Sequence, residues 1–335
     1  MLSKIGDFFR RNRRKFVIGG VVIGGLYVAH RYIRYRVEQW YENQTQTMLE
    51  QLKRKQHFGS ILSTSDSIVL SCVFRLREML SQELDIETLL EKVRTKPDNR
   101  VELWEEIKVR LITYGIVSVY AESLLICALR IQLGIIGGQV LLNSRKQQTQ
   151  KDQEVHKKYL EMTHHFLNQG VLELVRKVKV VVVRAFEHIE LKQTVSPDDF
   201  LLAYGYVRKN VPVIENAASY LIRDCWESAC ANPETANFEA LNEMIAETKD
   251  ILQCSDCLAL LENLIDYGFR DLQELVRRSF IFLGLDQCPM VKVLPALKVQ
   301  TAKRGELFVH DRLASDCSKN FLANVYEAFC NEPQR

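Results

Sequence analysis

Residues 111–133, LITYGIVSVYAESLLICALRIQL, form the longest apolar stretch of the chain and restrict its fold more than any other segment. A helix of that composition has no continuous polar face for water, so it belongs either in lipid or in the middle of a protein core. Glu122 and Arg130 decide between the two. Each charge is costly inside a membrane, so the segment is expected as a core helix and not as a membrane span.

A core of that kind needs other helices around it, and the chain has the material. Its 335 residues are 47% apolar and 26% charged, within the range of ordinary globular proteins. Only 15 glycines and 7 prolines are available to punctuate a turn-rich sheet sandwich, which favours an all-α fold. Ile61, Ile68, Leu70, Val73, Leu76 and Leu80 recur at helical spacing, then Leu84, Leu89, Leu90 and Val93, with Pro97 as a stop. Asn99 and Glu102 have capping-box spacing, so a helix is expected to start there and run towards Leu133. Gly134, Gly137 and Gly138 are expected to break it, and the polar residues 143–158 to form an exposed loop or a helix start. The glycines make no phosphate loop: they lack the GxGxxG order, a GK[ST] ending and a preceding strand.

Residues 172–191 read as one helix despite the four valines at 180–183, because the flanks keep helical spacing. Further helices are expected at about 198–207, 215–230, 238–252, 255–282 and 315–329, with Pro212, Pro233, Pro289 and Pro295 as breaks.

The N-terminus carries a second constraint. Residues 16–29, FVIGGVVIGGLYVA, contain no charge and lie between Arg14 and Lys15 on one side and His30 and Arg31 on the other. Fourteen helical residues reach about 21 Å, short of a hydrocarbon core of roughly 30 Å. Snorkelling of Lys15 and Arg31 lets the helix continue through Ile33, so 16–33 is read as a transmembrane anchor. Gly20 and Gly24 form a GxxxG, which allows helix pairing but is also expected by chance in so glycine-rich a run. A cleaved signal peptide and an interfacial helix are the competing readings. The first lacks a small-x-small end, since Tyr27 stands three before a cut after Ala29. The chain thus divides into a basic segment 1–15, the anchor 16–33, a charged helical stalk 34–55 and a helical bundle 56–335.

Charge and motifs exclude several function classes. A net charge of +3, from 45 basic and 42 acidic residues, argues against a nucleic-acid surface over the domain. The nine cysteines have no disulfide-scaffold spacing and suit a reducing compartment. Cys254 and Cys257 form a CxxC, but the nearest histidines, His188 and His310, are more than 50 residues away, so the pair reads as two small side chains on one helix face. His164 and His165 point about 100° apart on a helix and cannot chelate one metal together. Nucleophile elbows, HExxH, P-loops and kinase signatures are all missing from the sequence, so no catalysis, metal, cofactor or small-molecule substrate is expected.

Arg100, Trp104, Ile107 and Leu111 recur at spacings of four, three and four, along one stripe of the helix opening at Asn99. The stripe fits an inward-facing core position. It also fits an outward anchor, because Glu102, Glu105, Glu106 and Lys108 keep this turn polar.

At these residues the chain resembles the peroxisomal biogenesis factor 3, or peroxin-3, family. The resemblance rests on the basic start and glycine-rich run through Ala29, VELWEEIK at 101–108, RIQLGIIGG at 130–138, PMVKVLPAL at 289–297 and ANVYEAF at 323–329. It covers the first 140 residues well and the last 50 in pieces, with little between 143 and 283. The resemblance implies a non-enzymatic, elongated bundle of long helices on the peroxisomal membrane. Its domain would face the cytosol and receive the N-terminal amphipathic helix of the soluble import receptor peroxin-19. It further implies a groove with Trp104 as aromatic anchor, Val93 and Ile107 as apolar walls, and Arg100 and Lys292 as basic rim. Where the family often has leucine and lysine, this chain has Val93, Ile107 and Arg100. The family's topology puts the short N-terminus in the organelle matrix, whereas the basic cluster before Phe16 alone favours a cytosolic one. Two rivals remain: a membrane-anchored lipid-handling protein with an enclosed cavity, and a soluble enzyme with a cleaved presequence.

Overall fold

The computed structural model describes residues 48–95, 98–143, 150–222, 236–303 and 307–330, together with Arg31, Arg34 and Arg36. The chain divides into two compact units, Met1–His57 and Phe58–Arg335. In the first, residues 48–57 are helical, and Met48, Leu49 and Leu52 are exposed. The basic segment 1–15 and, apart from Arg31, the expected anchor 16–33 lie outside the described residues.

The second unit is all-α, as composition implied. It opens with α1 (residues 58–84) and α2 (Ile86–Arg94), parted by Asp85 in a left-handed conformation with φ 39°. A helix of 44 residues follows, α3 (Arg100–Asn143). Helix α4 (Gln150–His165) passes through a π-helical turn, Phe166–Gly170, into α5 (Val171–Phe186). The remaining helices are α6 (Pro197–Asn210), α7 (Ala217–Leu221), α8 (Ala236–Gln253), α9 (Ser255–Leu283), α10 (Met290–Ala302), α11 (Leu307–Ala314) and α12 (Asp316–Cys330). Among the described residues the only sheet is a pair of two-residue strands, β1 (Thr194–Val195) and β2 (Cys288–Pro289), antiparallel with Thr194 opposite Pro289.

Helix α3 is the axis of this unit, with α5, α9 and α12 packed along it. It is long and apolar enough to cross a membrane, yet 78% of its most apolar window is buried inside the protein. The two charges that argued for a core helix have partners. The Glu122 carboxylate lies 3.0 Å from Arg77 and 3.1 Å from Arg312. Arg130, fully buried, reaches Asp66 at 2.7 Å and the hydroxyls of Ser65 and Ser318. Each ion pair ties α3 to a helix far away in sequence, so the charges fix which helices pack where.

Several expectations need correction. The glycines at 134–138 do not end α3, which runs on to Asn143. A Cβ added at Gly138 would lie 2.6 Å from the Phe329 Cβ, and one at Gly134 would lie 2.7 Å from Val325 Cγ1. Bare backbone is needed for α12 to press against α3, and this contact outweighs the weak helix propensity of glycine. Pro295 does not break its segment either. It occupies an exposed position inside α10, where burial of Val293, Leu294, Ala296 and Leu297 holds the helix despite the missing amide. Both α10 and α11 had no sequence expectation. Of the helix expected at 215–230 the structure shows Ala217–Leu221, and residues 223–235 lie outside the described residues. Cys254 does not share a helix face with Cys257: it is the N-cap of α9, and its Sγ accepts the Cys257 amide at 3.4 Å. The four valines at 180–183 are helical, as their flanks required.

Candidate docking site

Helix α2 carries Ile86, Leu89, Leu90 and Val93 at helical spacing, and the first turns of α3 answer with Leu103, Trp104 and Ile107. Together they make a small apolar cluster apart from the main core. Leu89, Val93 and Ile107 are its buried centre, and Ile86, Leu90, Leu103 and Trp104 are partly buried against it. Trp104 also packs on the main core. The indole therefore bridges two apolar clusters while keeping part of its surface at the protein boundary.

This corner is firmly held. Lys108 is buried, and its ammonium donates to the Ile189 carbonyl at 2.7 Å and pairs with Glu105 at 2.5 Å. Arg110 donates to the Leu84 carbonyl at 2.7 Å and pairs with Glu106. Lys298 of α10 reaches Glu87 of α2 at 2.6 Å. Charges thus fasten both α2 and the start of α3 to their surroundings, so the apolar cluster sits on a preorganised frame. Between them lies a cavity of about 120 Å³ whose lining includes Ile86, Leu111, Tyr114, Lys298 and Ala302.

The residues named from the family resemblance fall in three places. Trp104 is half-buried; Val93 and Ile107, at 4% and 2% exposure, lie beneath the surface as support. Arg100 is exposed, one helical turn before Trp104 on α3. Lys292 is exposed on the first turn of α10, where its charge acts on Cys288. The α10 lysine bonded to α2 is Lys298. Leu90, Leu103, Lys108 and Lys298 were not among the site residues expected from the sequence. The i, i+3, i+4, i+7 pattern of α2 was a usable signal for Leu90, whereas the salt bridge to Lys298 spans 211 positions and has no local signature. Lys108 was grouped with surface charges and is in fact buried.

Chemically the arrangement offers apolar area, one indole and charges mostly committed to ion pairs. Such a surface suits capture of an apolar helix face. The cysteine pair has a local explanation: Cys257 is buried beside Cys127, whose thiol is pushed well above its ordinary pKa by a side-chain hydrogen bond with Cys257 and by burial.

The Peroxin-3 family model matches residues 7–101 and 91–284, including the stretch 143–283 where few motifs are legible. Peroxisomal biogenesis factor 3 of Mus musculus is 29% identical over 373 aligned positions, covering 100% of this chain and 99% of the relative. The Homo sapiens protein of that name is 28% identical with the same coverage. The peroxisomal membrane protein PEX3 of Komagataella phaffii is 22% identical over 261 positions, 60% of this chain and 57% of its own length. A family match over most of the chain, with full-length relatives in mammals, leads to one assignment: the chain belongs to the Peroxin-3 family.

Proposed function

We propose that this protein is a membrane-anchored docking receptor that binds the N-terminal amphipathic helix of the soluble import receptor peroxin-19 beside Trp104. Membership of the Peroxin-3 family gives it a role in peroxisome biogenesis and membrane protein import. The observation that carries the docking reading is a half-buried indole spanning two apolar clusters on a frame pinned by Lys108, Arg110 and Lys298. An aromatic anchor on a rigid support is the usual centre of a helix-in-groove interface. In this reading Trp104 takes the partner's leucines, Val93 and Ile107 support the indole from below, and Arg100 and Lys292 supply positive charge at the rim.

Trp104→Ala is expected to weaken binding of the receptor's N-terminal peptide by about thirtyfold, or about 2 kcal/mol, in a fluorescence-anisotropy titration of the full chain. Unchanged affinity in a folded variant removes Trp104 from the site. Residues 16–33 are proposed as the anchor in the peroxisomal membrane, with the bundle in the cytosol. An N-terminal tag is then expected to survive protease on intact organelles, and its digestion would reverse the topology.

A further inference from the structure

We infer that Cys254 and Cys257 are a redox pair, in which a hydroperoxide oxidises Cys254 and the Cys257 thiol closes a reversible disulfide onto it. Cys254 is the single residue between the spans of α8 and α9. Its amide closes α8 on the Ile251 carbonyl at 3.1 Å, and its Sγ opens α9 by accepting the Cys257 amide at 3.4 Å. The two cysteines are thus the N-cap and third residue of a 29-residue helix. From that third position a side chain reaches back to the cap, as in a capping box. Helical Cα atoms three positions apart lie about 5 Å from each other, within the roughly 4.4–6.8 Å that a disulfide bridges without backbone movement.

Exposure divides the roles. Cys254 is exposed, whereas Cys257 is buried at 1% exposure and sheltered from an oxidant in solution. The orphan amides at a helix start favour negative charge on the group that caps them. The Cys254 sulfur attacks the O–O bond and keeps one oxygen as a sulfenic acid, while the other leaves with the thiol proton as water or an alcohol. The Cys257 sulfur then attacks the sulfenic sulfur, the S–S bond forms, and the hydroxyl leaves with the Cys257 proton as water. Two thiols have lost two electrons and two protons to one hydroperoxide. A dithiol reverses the step by exchange.

The neighbouring thiols do not compete. Cys127 is hydrogen-bonded to Cys257, but it is fully buried and held protonated. Cys317, the other exposed cysteine among the described residues, has no cysteine one turn away on α12. So short a loop also gives a disulfide its smallest chain-entropy gain, which suits reversible chemistry better than a structural staple. Closure turns the Cys257 sulfur from Cys127 towards Cys254, so oxidation at the surface loosens a contact between α9 and α3.

The test treats the full chain, reduced and freed of reductant in phosphatidylcholine nanodiscs, with stoichiometric hydrogen peroxide. The intact mass is expected to fall by that of two hydrogens, digestion to yield a peptide linked between Cys254 and Cys257, and dithiothreitol to restore both thiols. Serine is itself a preferred N-cap, so Cys254→Ser keeps the helix start and is expected to slow thiol loss about tenfold or more. Cys257→Ala, with an unchanged circular dichroism spectrum, is expected to stop at a Cys254 sulfenic acid that dimedone traps. The wild-type linkage and Cys254→Ser decide the matter even where Cys257→Ala does not fold. Oxidation of Cys317 ahead of Cys254, a bond from Cys257 to Cys127, or equal thiol loss in Cys254→Ser would each overturn the proposal.

Discussion

Glu122→Ala is expected to lower the folding free energy by about 3–5 kcal/mol. The carboxylate is fully buried. Its Oε1 accepts from Arg77 Nε at 3.2 Å and Nη2 at 3.0 Å, and its Oε2 accepts from Arg312 Nη1 at 3.1 Å. Arg312 continues to Asp271 at 2.9 Å, so one carboxylate links α1, α3, α9 and α11. Removing it leaves the Arg312 guanidinium, whose side chain is 1% exposed, with half its compensation in a site water does not reach. Arg77→Ala is milder, because that side chain is 20% exposed and Glu122 keeps Arg312. Replacing Glu122 and Arg312 together by leucine is expected to recover much of the loss, since both buried charges then disappear and Asp271, at 21% exposure, remains hydrated. Urea unfolding followed by circular dichroism orders the four proteins. A loss below about 1 kcal/mol in Glu122→Ala would show that the network does not hold the helices.

Glu122 also shows what the sequence makes legible. Its place in an otherwise apolar run was enough to reject a membrane span for α3 and to put that helix in a core. The partners were not readable, because Arg312 is 190 positions away and an ion pair leaves no periodic trace. The same division holds elsewhere. Helices with a regular apolar stripe, such as α2 and α9, were legible nearly to their ends, whereas α5 stops at Phe186, five residues short of the expected end at Leu191, where the chain turns. Helix α10 was missed because Pro289 and Pro295 look like stops, and only its burial against other elements makes it a helix. At the candidate site, Val93, Trp104 and Ile107 do meet in one cluster, whereas Lys292 forms no hydrogen bond or ion pair with α2 or Trp104 among the described residues. The indole's orientation was undecidable from its stripe, since the same spacing serves an inward or an outward face.

The glycines of α3 give the second large effect, and its sign distinguishes packing from flexibility. Gly138→Val is expected to destabilise the protein by about 3 kcal/mol. A Cβ at Gly138 would stand 2.6 Å from the Phe329 Cβ, 2.8 Å from its carbonyl carbon and 2.9 Å from the Tyr326 carbonyl oxygen. Two of those three atoms are backbone, so no rotamer change relieves the overlap and α12 must move off α3. Gly205 is the internal control. It lies exposed in α6 with nothing within 4 Å of its missing Cβ, so Gly205→Ala is expected to gain about 0.5–1 kcal/mol from reduced chain entropy. If glycine at 138 served only to loosen the helix, Gly138→Ala would stabilise the protein as Gly205→Ala does. Overlap with the backbone of α12 requires the opposite sign. A more stable Gly138→Ala would mean that α12 does not press against α3.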